Sequence, residues 1–97
     1  MAAKIYKTTG EVIEVEPKNG KDFKLKELQE IVQGYIELVN LSSTQYMVVN
    51  EEGLLIGLPL NLSATRLYNN LNPSTTILYE KGIIVGDVLI CNKSQIK

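Results

Sequence analysis

Two stretches of this chain place apolar residues at helical spacing, and the segments around them are only a few residues long, as strands are. In the first stretch, "LKELQEIVQG", the apolar face consists of Leu25, Leu28, Ile31 and Val32. In the second and clearer stretch it consists of Leu60, Ala64, Leu67, Tyr68 and Leu71. Glu27 supplies half of a capping box for the first helix, and Gly34 is its predicted end. Two short helices among strand-like segments predict an α+β fold.

The remaining segments predict six strands, in the order β-β-α-β-β-β-α-β. "KIYKTTGEVIEVEP" is typical of a hairpin that ends at Pro17. "YIELVNL", "QYMVVN" and "LLIGLP" predict a three-stranded meander. "KGIIVGDVLICN" is either one bulged strand or two strands joined by a tight turn at Gly86 and Asp87. We therefore expect one small domain over residues 1–97, with a mostly antiparallel sheet and two short helices.

Composition narrows the function classes. The chain has 97 residues, a formal net charge of −1 and lysines spread along its length, so it lacks the basic patch that duplex nucleic acid requires. No apolar segment is long enough to span a membrane. The first ten residues, "MAAKIYKTTG", do not form the apolar stretch of a signal peptide. We expect an intracellular protein with no membrane partner.

The chain contains no histidine and one cysteine, Cys91. A Ser-His-Asp or Cys-His mechanism, a histidine-containing zinc site and an intrachain disulfide are therefore all excluded for a single chain. Cys91 lies in the apolar run "VGDVLIC" and is expected to be buried. We predict a protein that is not an enzyme and uses no metal or cofactor, in preference to an enzyme with Glu51 or Asp87 as its base.

The stretch "GLPLNLSATRLY" has two interpretations, and the sequence leaves both open. In the first, Asn61 only caps the second helix, since an amide oxygen there accepts from a backbone N–H two or three residues on. In the second, the helix start also binds a phosphate or carboxylate. The hydroxyls of Ser63 and Thr65 and the guanidinium of Arg66, the only arginine, would then assist.

Three further positions complete the predicted ligand-binding set. Asn50, beside Glu51 and Glu52, is either part of a solvated turn or part of a rim that hydrogen-bonds a base or sugar. Asp87 marks a bulge, an edge or a turn, or else bonds the helix start or a ligand. Tyr68 is one of five tyrosines, which are core residues or stack on a nucleobase. The full predicted set is Asn50, Asn61, Ser63, Thr65, Arg66, Tyr68 and Asp87.

The segments "YMVVNEEGLLIGLPLNLSATRLY" and "IIVGDVLIC" resemble a family of small proteins encoded by phages, plasmids and integrative elements, filed as a domain of unknown function. The shared pattern is "VVNEEG", then "GLPxNxxAT", then "I-x-GDVLIC", and the resemblance covers roughly residues 14 to 91. Its motif positions here are Asn50, Gly53, Pro59, Asn61, Ala64, Thr65, Gly86 and Asp87. The resemblance implies an accessory protein of a mobile element, acting in the cytoplasm of a bacterial host, and supplies no catalytic residues.

Two functional hypotheses follow. In the first, the protein counters host defence by sequestering a small anionic, cyclic nucleotide signal. In the second, it is a protein-interaction module that inhibits or adapts a host protein, such as a defence protein, through a surface patch or a strand edge. A homo-oligomer, most simply a homodimer, is expected for so small a chain.

Overall fold

The computed structural model describes residues 3–71 and 83–96. It confirms the α+β class, with five strands and two helices in the described part of the chain. The elements are β1 (Ala3–Tyr6), β2 (Val12–Val15), α1 (Leu25–Val32), β3 (Ile36–Asn40), β4 (Gln45–Asn50), α2 (Leu62–Leu71) and β5 (Val88–Asn92), followed by a 3-10 turn at Lys93–Gln95. Among these residues, no helix has the length and apolar character needed to cross a membrane.

The five strands form one sheet in the order β2-β1-β5-β4-β3, and every neighbouring pair is antiparallel. β5 comes last in the chain but lies at the centre of the sheet, between β1 and β4. Its sequence "VLICN" and the β4 sequence "QYMVVN" are the most apolar of the strands, and both are largely buried. Strands covered on both faces read as continuous apolar runs, which explains why neither shows a clear alternation.

The two helices cover opposite faces of the sheet. Neighbouring residues of a strand point to opposite faces, so Val48 and Leu89 pack with α1, whereas Met47 and Val88 pack with α2. Each face therefore has its own apolar cluster. Cys91 belongs to the α1 cluster and is buried, as the sequence predicts.

The predicted third strand of the meander, "LLIGLP", is wrong. Residues 51–57 form consecutive turns, and the short-range bonds from Ile56 N to Glu52 O and from Leu58 N to Gly53 O coil the segment. Of the described residues near it, only Leu60 makes a β-bridge, with Val85. Backbone groups committed to local bonds cannot also form a sheet ladder, so an apolar run here does not become a strand.

α1 ends where the sequence predicts, with Gly34 directly after the C-cap, but the residue in the left-handed conformation is not this glycine. Gln33, with φ 64°, is the residue that takes the left-handed conformation, whereas Gly34 lies one position further on. At the start of the helix, Glu27 accepts from Lys24 N at 3.0 Å and from Lys18 N at 3.1 Å, so the predicted half of the capping box forms. The bond from Lys24 N, and to a smaller extent the bond from Lys18 N, lower the pKa of Glu27.

The last apolar segment resolves as two pieces joined by a turn. Val85 makes a single bridge, Gly86 has φ 76°, and β5 begins at Val88. In the described part of "KGIIVGDVLICN", Val85 makes only an isolated bridge and β5 is the one strand, so neither a single bulged strand nor a pair of strands forms there. Tyr79 and most of the predicted loop "NNLNPSTT" lie outside the described residues.

Candidate functional site

The longest run of exposed large apolar side chains in the described part of the chain lies in the segment that the sequence predicts as a strand. Leu54, Leu55 and Ile56 are 62%, 85% and 59% exposed, although all three are large apolar residues. We call residues 53–58 the apolar loop. Single exposed apolar residues are normal, but consecutive ones at one tip indicate an interaction site.

The side chain of Asn50 connects this loop to α1. Its Nδ2 donates to Val32 O at 3.0 Å and to Gln33 O at 3.4 Å, at the C-terminus of the helix. Its Oδ1 accepts from Glu52 N at 2.8 Å, at the start of the turns. Asn50 is itself buried. Both ends of one amide are therefore used to hold the loop against a helix end.

Two glycines allow the base of the loop to pack tightly against the segment before β5. A Cβ on Gly53 would lie 2.7 Å from Val85 Cγ2, and a Cβ on Gly86 would lie 2.8 Å from Leu58 Cδ1. Real Cβ atoms do not approach other carbons so closely, so only glycine fits without rearrangement. The exposed tip of the loop thus rests on a close-packed base.

Two clefts include residues of the apolar loop in their linings. The Tyr68 cleft, of about 350 Å³, is lined by Leu54, Tyr68, Glu37 and Glu51 together with residues of β3, β4 and the 83–85 segment. The Tyr35 cleft, of about 310 Å³, is lined by Gln29, Gln33, Gly34, Tyr35, Asn50, Glu52 and Ile56. Tyr35 is 64% exposed. Neither lining includes a lysine or arginine among the described residues.

Asn61 caps α2, as both interpretations of its stretch allow. Its Oδ1 accepts from Ala64 N at 3.1 Å, while its Nδ2 donates to Tyr6 O and to Gly86 O, both at 2.8 Å. The residue has no exposed surface. One side chain therefore joins the start of α2 to β1 and to the turn before β5.

The other predicted residues of α2 point in different directions. Thr65 Oγ1 donates to Ile84 O at 3.2 Å and accepts from Ile84 N at 2.9 Å, so this hydroxyl faces the 83–85 segment. Arg66 is exposed and Ser63 is half-buried. Tyr68 is half-buried and lies against the apolar cluster on its face of the sheet.

Asp87 holds the β1–β2 turn. Its Oδ1 accepts from Thr8 N at 3.0 Å, and its Oδ2 lies 3.5 Å from Lys7 Nζ. Of the seven predicted ligand-binding residues, the structure brings Asn50 and Tyr68 to one cleft. Asn61 and Thr65 donate to backbone carbonyls of the 84–87 segment, at Gly86 and Ile84. Asp87, which belongs to that segment, accepts from Thr8 N.

Sequence reasoning missed Leu54, Leu55, Ile56 and Tyr35 as functional candidates. A signal was present for the first three: an apolar run between two glycines, directly after the polar "NEE", with no alternation to place one face in a core. Tyr35 carries no comparable signal, because a single aromatic residue at the start of a strand is most often a core residue.

The fold and the motif positions define a small α+β domain, and a family model matches nearly all of it. The model described as "Domain of unknown function (DUF3846)" matches residues 4–96. The chain belongs to this family. No curated protein and no solved structure matches it.

Proposed function

We propose that this domain is a non-catalytic interaction module that binds another protein through the apolar loop. The observation that carries this proposal is the exposure of Leu54, Leu55 and Ile56 on a loop whose base is close-packed. Burying a large aliphatic side chain contributes about 1.5–3 kcal/mol. Three such residues at one tip, with Tyr35 nearby, are exposed in the isolated domain. A partner that buried them would gain this contribution as binding free energy.

The hydrogen bonds that hold the apolar loop in one conformation also favour binding. Asn50 fixes the loop to α1, and the turn bonds fix its backbone. A surface that is already ordered loses less conformational entropy when a partner covers it, so more of the contact energy appears as affinity. The mobile-element context implied by the family resemblance makes a host protein the partner that we propose.

Nucleotide sequestration stays a prediction, and the geometry favours it less. Asn61 and Thr65 use their polar side-chain atoms within the fold. The cleft that contains Asn50 and Tyr68 also contains Glu37 and Glu51, and carboxylates repel a phosphate. Arg66 and Ser63 remain as candidates for an anion at the start of α2.

Affinity capture with matched variants tests the proposal. Tagged wild-type protein, the double variant Leu55→Ser/Ile56→Ser and the control Leu25→Ser are each incubated with bacterial lysate, and bound proteins are quantified by mass spectrometry. Leu25 is a suitable control because it is 58% exposed and lies at the opposite end of α1 from the Tyr35 cleft. The top-ranked protein is then purified and titrated against wild type and both variants by calorimetry.

We expect a partner that binds wild type and Leu25→Ser equally and binds the double variant at least about tenfold more weakly, which is about 1.4 kcal/mol of lost burial. Equal binding of the purified partner by all three proteins would place the interface elsewhere and refute the role of the loop. Captured proteins that fail to bind after purification would refute it as well.

A further inference from the structure

The charges of the chain are segregated along the sequence. Residues 27–65 include five glutamates and no lysine or arginine, although the whole chain has ten basic and eleven acidic residues. This stretch contains most of α1, the β3–β4 hairpin and the apolar loop. The loop therefore belongs to the part of the chain with no positive side chain.

Three of these five carboxylates line the two clefts beside the apolar loop. Glu37 and Glu51 line the Tyr68 cleft with Leu54, and Glu52 lines the Tyr35 cleft with Ile56. Glu37, Glu51 and Glu52 are all exposed. An apolar tip that shares its clefts with carboxylates is a patterned surface, apolar at the tip and negative beside it.

We infer that the partner presents an apolar pocket with lysine or arginine residues around it. This inference rests on the proposed function and specifies the chemistry of the partner. Charged rims steer encounter and exclude partners of the wrong sign, while the apolar centre supplies most of the affinity. A partner with an acidic rim would bring like charges together, and an anionic membrane surface would repel the same three carboxylates.

Selection from a random peptide library displayed on phage identifies the preferred chemistry without knowledge of the natural partner. The library is depleted on Leu55→Ser/Ile56→Ser, which keeps the net charge but removes the apolar tip, and is then selected on wild type. The strongest peptides are synthesised and their affinities measured for wild type and for Glu51→Gln/Glu52→Gln. This second variant keeps the shape of the rim and removes two charges. A parallel sedimentation assay uses phosphatidylglycerol vesicles.

We expect the selected peptides to combine aliphatic or aromatic residues with an excess of lysine and arginine over the unselected library. We expect Glu51→Gln/Glu52→Gln to bind these peptides roughly three- to tenfold more weakly than wild type does, as is typical of the loss of two exposed ion pairs. Raising NaCl from about 50 mM to about 300 mM should weaken peptide binding to wild type more than peptide binding to this variant, because salt screens exposed charges.

Two results would overturn this inference without contradicting the proposed function. In the first, the loop-dependent peptides have no excess of basic residues; in the second, they bind Glu51→Gln/Glu52→Gln as tightly as wild type. Vesicle binding that is lost in Leu55→Ser/Ile56→Ser would overturn it in favour of a lipid surface. A selection that yields no peptide dependent on the loop would refute the proposed function, and this inference with it.

Discussion

Gly34 and Asn50 approach so closely that a side chain at position 34 has no room. A Cβ on Gly34 would lie 2.7 Å from Asn50 Nδ2, the atom that donates to Val32 O and Gln33 O. Gln33 takes the left-handed conformation that ends α1, and Gly34 then lets the chain pass over the buried amide. The contact between these two residues fixes where α1 ends relative to the apolar loop.

Gly34→Ala and Asn50→Ala should destabilise the fold non-additively. Removing the Asn50 amide leaves helix-end carbonyls and Glu52 N without their partner, at a cost of about 2–3 kcal/mol. The alanine methyl at position 34 displaces the same amide, so its effect should largely disappear once Asn50 is already alanine. Urea denaturation of the two single variants and the double variant measures the coupling.

Gly20→Ala is the control for this cycle. Gly20 has φ 80°, and a Cβ at this position would meet no atom within 4 Å, so alanine there adds backbone strain of about 1 kcal/mol without a collision. Its effect should add to that of Asn50→Ala. Additivity for Gly34→Ala as well would show that Gly34 and Asn50 do not act through one contact.

Replacing Asn61 should destabilise the protein by more than the loss of a helix cap. Asn61→Ala removes the cap of α2 and also the donors to Tyr6 O and Gly86 O, so we expect a loss of about 3 kcal/mol rather than the ~1 kcal/mol of an exposed cap. Asn61→Asp keeps the capping oxygen but faces two carbonyls with a second oxygen.

Thermal unfolding compared across pH distinguishes these contributions. Burial raises the pKa of a carboxyl group in the folded state, and the protonated form can donate to a carbonyl. The loss of unfolding free energy in Asn61→Asp relative to wild type should therefore become smaller as pH falls towards about 4. A variant as stable as wild type at about pH 7 would show that the two amide donors contribute little.

The buried thiol of Cys91 makes stability depend on alkaline pH. Burial raises its pKa from 9.0 to about 11, so the unfolded chain loses this proton first. The contribution is fully present below about pH 9 and is lost as pH rises towards 11. Cys91→Ala should show a shallower decline of unfolding free energy than wild type over that range. Parallel curves for the two proteins would contradict a raised thiol pKa.

Leu55→Ser should leave stability almost unchanged, although it replaces a large apolar residue. Leu55 is 85% exposed, and substitutions at such positions change stability by no more than about 0.5 kcal/mol. Gly53→Ala in the same loop should be clearly destabilising, because its Cβ would meet Val85 Cγ2 at 2.7 Å. Thermal denaturation of both variants tests this contrast. A large loss in Leu55→Ser would show that the leucine supports the fold rather than a partner.

A thermal-shift panel of cyclic mono-, di- and trinucleotides, with simple phosphates as controls, tests nucleotide sequestration directly. On the proposed function we expect no selective shift. A ligand at a hundredfold excess over its Kd would stabilise the fold by about 2.7 kcal/mol, which is a shift of many degrees for a domain of this size. A selective shift that Arg66→Ala abolishes would establish the nucleotide hypothesis in place of ours.

Elements whose signals are local could be predicted from the amino-acid sequence. The helix α1 and the cap at Asn61 each depend on residues a few positions apart, and both form where the sequence predicts them, although Leu25 of the predicted apolar face is exposed. The α+β class follows from the number and length of these segments. Local periodicity and capping chemistry act within one or two turns of chain, so the sequence alone is enough to predict them.

The conformation of the apolar segment after Asn50 depends on contacts between elements that are distant in the sequence. "LLIGLP" is as apolar as a central strand, but Asn50 captures Glu52 N and holds Val32 O and Gln33 O, which lie 18 and 17 residues away. Beyond these anchoring bonds, the backbone bonds from Ile56 N to Glu52 O and from Leu58 N to Gly53 O coil the segment, and Leu54, Leu55 and Ile56 lie in solvent. The roles of Asn50, Asn61 and Thr65 depend likewise on partners distant in sequence, because a buried amide or hydroxyl takes whichever backbone groups the packed elements bring to it.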